Sequence, residues 1–95
     1  MSAVYLVAVH NVTDADQLKE YAAAAGGTLT GAEVLVADEA ARTVEGDPRS
    51  RVVIIRFPSE EAAREWYDSE AYQKALPLRL NATSDNWLGF VSALG

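Results

Sequence analysis

Two long apolar runs constrain the fold of this chain more than any other feature. "VYLVAVH", from Val4 to His10, and "RVVIIRF", from Arg51 to Phe57, are rich in β-branched residues and almost continuously hydrophobic. Runs of this kind are typical of strands in the middle of a sheet, where both faces are buried. We therefore predict two central strands, and the fold must cover both faces of each.

A helical pattern follows the first run. Thr13 is a credible N-cap for this helix. Glycine is unfavourable inside a helix, so Gly26 and Gly27 predict a kink near the end of the segment. The apolar positions that recur at helical spacing are Leu18, Tyr21, Ala22, Ala25 and Leu29.

A second helical region follows the second run. Ser59 is the predicted N-cap, Asp68 and Ser69 predict a break and a new cap, and Pro77 predicts an end or a kink. The exposed Glu60 and Arg64 are spaced for a solvated ion pair. The positions expected on the covered faces are Ala62, Ala63, Trp66 and Tyr67, then Tyr72, Leu76, Arg79 and Leu80.

Two further strands complete the pattern. "GAEVLVAD" predicts one, with "ARTVEG" as its return arm, and "NWLGFVSAL" predicts the last, with Trp87 and Val91 on one side and Leu88 and Phe90 on the other. The order predicts a ferredoxin-like βαββαβ α+β sandwich, an antiparallel sheet with two helices on one face. We expect residues 1–95 to form a single domain. Because two helices cover one face only, we predict a homodimer that covers the other.

Composition excludes several classes of function. The chain has no cysteine, which rules out disulfides, thiolate metal sites and a cysteine nucleophile. A net charge of −6 with scattered basic residues argues against nucleic-acid binding. No run has the roughly 18 to 20 apolar residues of a membrane span. The first apolar run is short and lacks a basic segment before it, so we expect no secretory signal and a cytoplasmic protein.

The stretch "EGDPRSRVVIIRFPSEEAAREWYDSEAYQ" resembles the signature region of the bacterial family catalogued as domain of unknown function 1330, within the dimeric α+β barrel superfamily. "VTDADQLKEYAAA" resembles that family's first helix, and Arg79 lies where the family usually carries an arginine. The chain departs from the family at Arg56, where a glutamate is common, and at Gly26 and Gly27, where a proline-rich kink is common.

The resemblance implies a pocket between sheet and helices and no single chemistry. Members of the superfamily include cofactor-free monooxygenases of aromatic polyketides, lactone isomerases, haem proteins and binding proteins. Arg56 lies within an apolar strand, so it must either pair with a carboxylate or reach an edge of the sheet, and we favour a salt bridge, within the chain or across the dimer.

His10 is the chain's only histidine and falls at the end of the first strand, near the expected mouth of the pocket. A histidine there suits general acid or base catalysis near neutral pH. The other interpretation is an ordinary loop residue without a special role. One histidine cannot build a multi-histidine metal site, and we predict none, although a single haem ligand stays open.

The four tyrosines and Trp66 are candidates for the pocket wall, with packing against the sheet as the alternative for each. We predict catalytic roles for Tyr72 and Arg79 beside His10, with Arg79 equally placed to be a surface residue at a helix end. The predicted substrate-binding residues are Tyr5, Tyr21, Trp66 and Tyr67.

These residues favour a cofactor-independent enzyme of the monooxygenase, cyclase or isomerase type, acting on a small aromatic or apolar metabolite. In this hypothesis His10 moves a proton while the tyrosines and Arg79 orient an enolate or phenolate. The alternative is a non-catalytic dimer that binds a metabolite or serves a structural role, which the lack of a clustered acid–base set supports. No cofactor is predicted.

Overall fold

The computed structural model describes residues 2–94. Its strands are β1 (Val4–Val12), β2 (Glu33–Asp38), β3 (Arg51–Phe57) and β4 (Thr83–Ser92), and its helices are α1 (Ala15–Gly26), α2 (Glu60–Asp68) and α3 (Glu70–Ala82). The two apolar runs form β1 and β3, as predicted.

The strands form one antiparallel sheet in the order β2-β3-β1-β4. β1 and β3 are therefore the central strands, and the predicted ferredoxin-like α+β architecture is confirmed. There are three helices because Ser69 ends one and begins the next: its N–H bonds to the carbonyl of Trp66, and its Oγ accepts from the N–H of Tyr72.

The sheet has two unlike faces. On the helix face, Leu6 of β1 packs with Ile55 and Phe57 of β3 and with Ala63 of α2. The opposite side, here called the open face, has no helix of residues 2–94 on it. Side chains alternate between the faces along β1, so Val7 lies on the open face beside Leu6 on the helix face.

The open face is apolar and only partly covered. The register places Val91 opposite Tyr5 and Trp87 opposite Val9 on this face, while Leu88 and Phe90 lie on the helix face, as predicted. Trp87 is 53% exposed and Val91 43% exposed.

Arg56 also lies on the open face, exposed to solvent. In the register it stands opposite Tyr5 on one side and Glu33 on the other. Within residues 2–94 it forms no ion pair, so the expected carboxylate partner is not supplied by this part of the chain.

The structure corrects two predictions about α1. Its N-cap is Asp14, whose carboxylate accepts from the N–H of Gln17, while the N–H of Thr13 bonds to the carbonyl of Ala82. A carboxylate at this position also favours the positive end of the helix. The glycine pair ends the helix rather than kinking it, because α1 stops at Gly26 and Gly27 is its C-cap.

Pro77 does not end α3, since the helix continues to Ala82. Pro77 is exposed, whereas Ala75, Arg79 and Ala82 are buried, so tertiary packing holds the helix past the missing donor.

Two strand predictions also differ from the structure. The segment "ARTVEG" forms no strand within the described residues, because it has no apolar face to bury and Val44 is almost fully exposed. β4 begins at Thr83, directly after α3, because Thr83 and Ser84 pair with Val12 and Asn11 of β1.

Candidate functional site

A cavity of about 140 Å³ lies between α1, α3 and the helix face of the sheet. It exists because small residues face one another across it: Ala8 on β1, Ala37 on β2, and Ala22, Ala25 and Gly26 on α1. Larger apolar side chains complete its walls. They are Leu6, Leu29, Val34, Val53, Ile55, Trp66 and Leu88.

The polar residues of the wall are His10, Tyr21, Arg51, Tyr72 and Arg79. Alternation along β1 places His10 on the same face as Leu6 and Ala8. The antiparallel register places Arg51 of β3 directly opposite His10. On the other side the ladder with β4 shifts between Val9 and Asn11, which leaves His10 without a partner on that strand.

His10 is fully buried, and its Nε2 lies 3.0 Å from Nη1 of Arg51. A guanidinium has donors only, so Nε2 accepts this hydrogen bond. Burial, and then the positive charges of Arg51 and Arg79, lower the pKa of His10 from 6.5 to about 4. The ring is therefore neutral near pH 7 with its proton on Nδ1, a nitrogen that has no partner within residues 2–94.

Arg79 reaches the cavity from α3 and is only 4% exposed. Its Nη1 donates to Oδ1 of Asn86 at 3.0 Å, and its Nε has no partner among the described residues. No lining residue is acidic, and within residues 2–94 neither Arg51 nor Arg79 forms an ion pair with a carboxylate. The cavity therefore carries positive charge that this part of the chain does not neutralise.

Tyr21 of α1 and Tyr72 of α3 share a hydrogen bond, with their hydroxyl oxygens 2.9 Å apart. Tyr72 is fully buried. Burial is the main cause that raises the pKa of Tyr21, with the nearby Tyr72 hydroxyl adding to it, so this phenol stays protonated at neutral pH. The pair supplies hydroxyl groups to the wall and no base.

Trp66 covers the cavity from α2. Its Nε1 donates to Oγ1 of Thr28 at 2.8 Å, and its ring centroid lies 4.1 Å from that of Tyr72. With its polar atom satisfied, the indole presents an apolar surface to the cavity.

The structure thus brings five of the predicted site residues to one cavity and leaves two outside it. The two outside are Tyr67, which packs beside Tyr72 with ring centroids 5.4 Å apart, and Tyr5, which lies on the open face. The substrate-binding role expected of Tyr5 and Tyr67 therefore has no place in this cavity.

Sequence reasoning missed Arg51. Its position at the start of an apolar strand gives no signal by itself, and only the pairing of β1 with β3 places it against His10. Asn86, which holds Arg79, was missed for the same reason: its contact depends on how β4 follows α3.

No cluster of three or more potential metal-ligating residues occurs in the described part of the chain. The open possibility of His10 as a haem ligand does not fit the geometry, because Nε2 is bound to Arg51 and the cavity is too small for a porphyrin. Among residues 2–94, no helix is both long and apolar enough to cross a membrane.

Several solved structures share the fold at low sequence identity. A protein of unknown function from Rhodopseudomonas palustris superposes with a TM-score of 0.85 and 17% identity, over 99% of this chain and 84% of that one. A cofactor-independent oxygenase from Streptomyces nogalater, SnoaB, superposes with a TM-score of 0.72 and 15% identity, over 100% of this chain and 96% of that one. A dimeric ferredoxin-like protein of unknown function from Thermobifida fusca has a TM-score of 0.67 and 14% identity, over 97% of this chain and 92% of that one.

No functionally curated protein matches the sequence. The sequence model of the family described as "Domain of unknown function (DUF1330)" matches residues 3–92, nearly the whole chain. Together with the ferredoxin-like, dimeric α+β barrel fold of its structural neighbours, this match shows that the chain belongs to the DUF1330 family.

Proposed function

We propose that the chain binds a small single-ring organic acid in the helix-face cavity and stabilises it as an enolate or phenolate, as a cofactor-independent enzyme of the monooxygenase, cyclase or isomerase type. One observation carries this proposal. Two arginines that have no carboxylate partner within residues 2–94 line a cavity whose wall is mostly apolar.

The volume sets the size of the ligand. An apolar cavity of about 150 Å³ in another protein takes one benzene molecule. The cavity here, at about 140 Å³, matches a single six-membered ring. The apolar walls and the face of Trp66 suit a flat, unsaturated molecule, and the few polar groups would orient it.

The charge sets the chemistry of the ligand. A buried guanidinium without a counter-charge is unfavourable by several kcal/mol, and an anion at Arg79 and Arg51 would relieve that cost. Arginine also forms well-directed hydrogen bonds to an oxyanion. A neutral ligand of the same shape would leave both charges uncompensated.

Monooxygenation, cyclisation and isomerisation without a cofactor each pass through an anion of the substrate. Donors already in place around its oxygen lower the energy of that anion more than water does. His10 and Tyr21 are poor proton acceptors at neutral pH, since the pKa of His10 is lowered to about 4 and Tyr21 stays protonated. The substrate would then lose its proton to water, and the positive charge of Arg79 would favour the anion that remains. The cofactor-independent oxygenase from Streptomyces nogalater, which shares the fold, supports this class of reaction.

The alternative is a protein that binds the same anion without converting it. The shortage of a proton acceptor in the cavity wall favours this candidate, because a binding protein needs the donors alone. Both candidates predict the same ligand and differ only in turnover.

We also propose that two copies associate through their open faces. The apolar and partly exposed surface around Trp87 and Val91 supports this, and a structural neighbour is described as dimeric. Sheet-to-sheet packing would remove that surface from water.

Thermal shifts with matched ligands test the proposed function. Benzoate and benzamide have similar shapes, but only benzoate is charged at pH 7, so benzoate should raise the melting temperature and benzamide should not. Arg79→Met should abolish the benzoate effect. Arg64→Met, which removes an exposed arginine on α2 outside the cavity, should leave it intact. Equal shifts with the acid and the amide would contradict the proposal.

Turnover separates the enzyme from the binding protein. Phenols and enolisable ketones that bind would be incubated with the protein in air, with oxygen uptake and products followed over time. Conversion that Arg79→Met removes and Arg64→Met retains supports the enzyme. Tight binding without conversion across the series supports the binding protein.

A further inference from the structure

Arg51 contacts the cavity histidine in a way that limits what the histidine can do. We infer that Arg51 is a positioning residue: by occupying Nε2 of His10, it fixes His10 as an Nδ1–H donor that holds the ligand's oxyanion together with Nε–H of Arg79. The identity of the ligand rests on the proposed function. The position of the ring proton on His10 does not depend on the ligand. The inference about Arg51 and the proposed function can therefore fail separately.

The contact is built into the sheet. His10 and Arg51 are directly opposed residues of the two central strands, and their side chains meet at 3.0 Å on the helix face. His10 is fully buried, so bulk water does not reach Nε2 while Arg51 stays beside it. With its lone pair on Nε2 occupied, the neutral ring offers only its N–H.

The groups around His10 are donors or neutral hydroxyls. Arg51 comes from β3, Arg79 and Tyr72 from α3, and Tyr21 from α1, and all four line the cavity with His10. The hydroxyls of Tyr21 and Tyr72 use one hydrogen in their mutual bond, which leaves the other hydrogen free. No carboxylate of the cavity wall accepts from any of them.

Two buried donors are left without partners in the described residues, Nδ1–H of His10 and Nε–H of Arg79. Leaving a buried donor unpaired is unfavourable, and native structures do so rarely. A ligand oxygen that accepts from both would satisfy them together. The site should therefore select ligands by an acceptor oxygen with negative charge and reject ligands that present an N–H or an ammonium group there.

Nitrogen NMR of the free protein tests the state of His10 without any ligand. His10 is the only histidine, so its ring signals need no assignment. We expect a proton on Nδ1 and none on Nε2 at pH 7. Arg51→Met should raise the pKa of His10 and move the ring proton at least partly to Nε2. Arg49→Met, which removes a neighbouring arginine that contacts backbone carbonyls only, should change neither. A proton on Nε2 in the wild-type protein would overturn the inference.

Two substitutions of His10 test how the ligand uses it. The side-chain amide nitrogen of Asn occupies nearly the position of Nδ1, whereas that of Gln reaches the position of Nε2. His10→Asn should therefore keep benzoate affinity within about threefold, and His10→Gln should lower it about tenfold, the loss of one hydrogen bond to a charged group. The opposite order would overturn the inference. If wild-type protein does not bind benzoate, the proposed function fails, and the NMR result alone decides the role of Arg51.

Discussion

The two faces of the sheet come from the same strands but differ in what covers them. On the helix face Leu6 is 2% exposed, and the polar groups gather at one end around His10 and Arg51. On the open face Trp87 is half exposed and stands opposite Val9 of β1. Since neighbouring residues alternate between the faces, one run of sequence serves both surfaces.

The two faces therefore differ in the kind of partner that would complete them. The helix face is covered by the helices, and the arginines of its cavity form no ion pair within residues 2–94, so in our proposal it lacks an anion. The open face is apolar and uncovered, so it lacks a second surface. Each can be changed with little effect on the other.

Leu6 and Val7 offer the sharpest contrast, because they are adjacent on β1 and face opposite sides. Leu6→Ala should lower the free energy of unfolding by about 3 to 4 kcal/mol, as expected for truncating a buried leucine. Val7→Ala should lower the free energy of unfolding of the dilute subunit by only about 1 kcal/mol. Its main effect should be a weaker dimer. Denaturant unfolding and sedimentation measure the two effects.

The contrast would fail if both substitutions lowered subunit stability equally while the mass in solution stayed the same. A wild-type protein that stays monomeric at micromolar concentration would remove the proposed association through the open face.

Acid should destabilise the helix face through His10. Its pKa falls from 6.5 in the unfolded chain to about 4 in the fold. Between these values the unfolded chain binds more protons than the folded one, so stability falls as the pH falls. The expected loss from pH 7 to pH 4 is about 3 kcal/mol, from about 1.36 kcal/mol per pH unit.

Denaturant melts at several pH values measure this loss, with His10→Asn as the control that lacks the titration. Asp38 and Asp85 also have lowered pKa values, but both ordinarily titrate near 3.8, so their contributions are lost below this window. An equal loss in wild type and His10→Asn would show that His10 is not the cause.

The smallest predicted effect lies on the open face. A Cβ at Gly89 would come within 2.6 Å of the Trp87 ring, so Gly89→Ala must displace the indole from the sheet. We expect a cost of no more than about 1 kcal/mol in the dilute subunit, because Trp87 is half exposed. Dimer affinity should fall, and near-ultraviolet circular dichroism should report the movement of the ring. An unchanged dimer would place Trp87 outside the interface.

Much of the fold was predictable from the sequence because β1 and β3 are long apolar runs and Ser59 and Ser69 cap helices as expected. The errors arose where packing overrides local preference. α3 passes through Pro77, and "ARTVEG" has strand-like residues but no apolar face to bury.

The site was predictable for residues whose spacing sets their face. His10 lies near the end of β1, and Arg79 follows Tyr72 by seven positions, two helical turns, so both reach the same side of the molecule. Tyr5 was wrongly predicted to line the pocket. Side chains alternate between the faces along β1, and the odd spacing between Tyr5 and His10 already places them on opposite faces. The contact of Arg51 with His10 could not be predicted, because strand register depends on pairing between distant segments.

The central claim is that the helix-face cavity prefers an anion to the neutral molecule of the same shape. The ionisation of para-nitrophenol, followed by its absorbance in the presence of excess protein, tests this claim most directly. We predict that the bound phenol ionises at least about one pH unit lower than the free phenol, a tenfold preference for the anion, and that Arg79→Met removes the shift. Bound nitrophenol that ionises at the same pH as the free compound, or higher, would contradict the account.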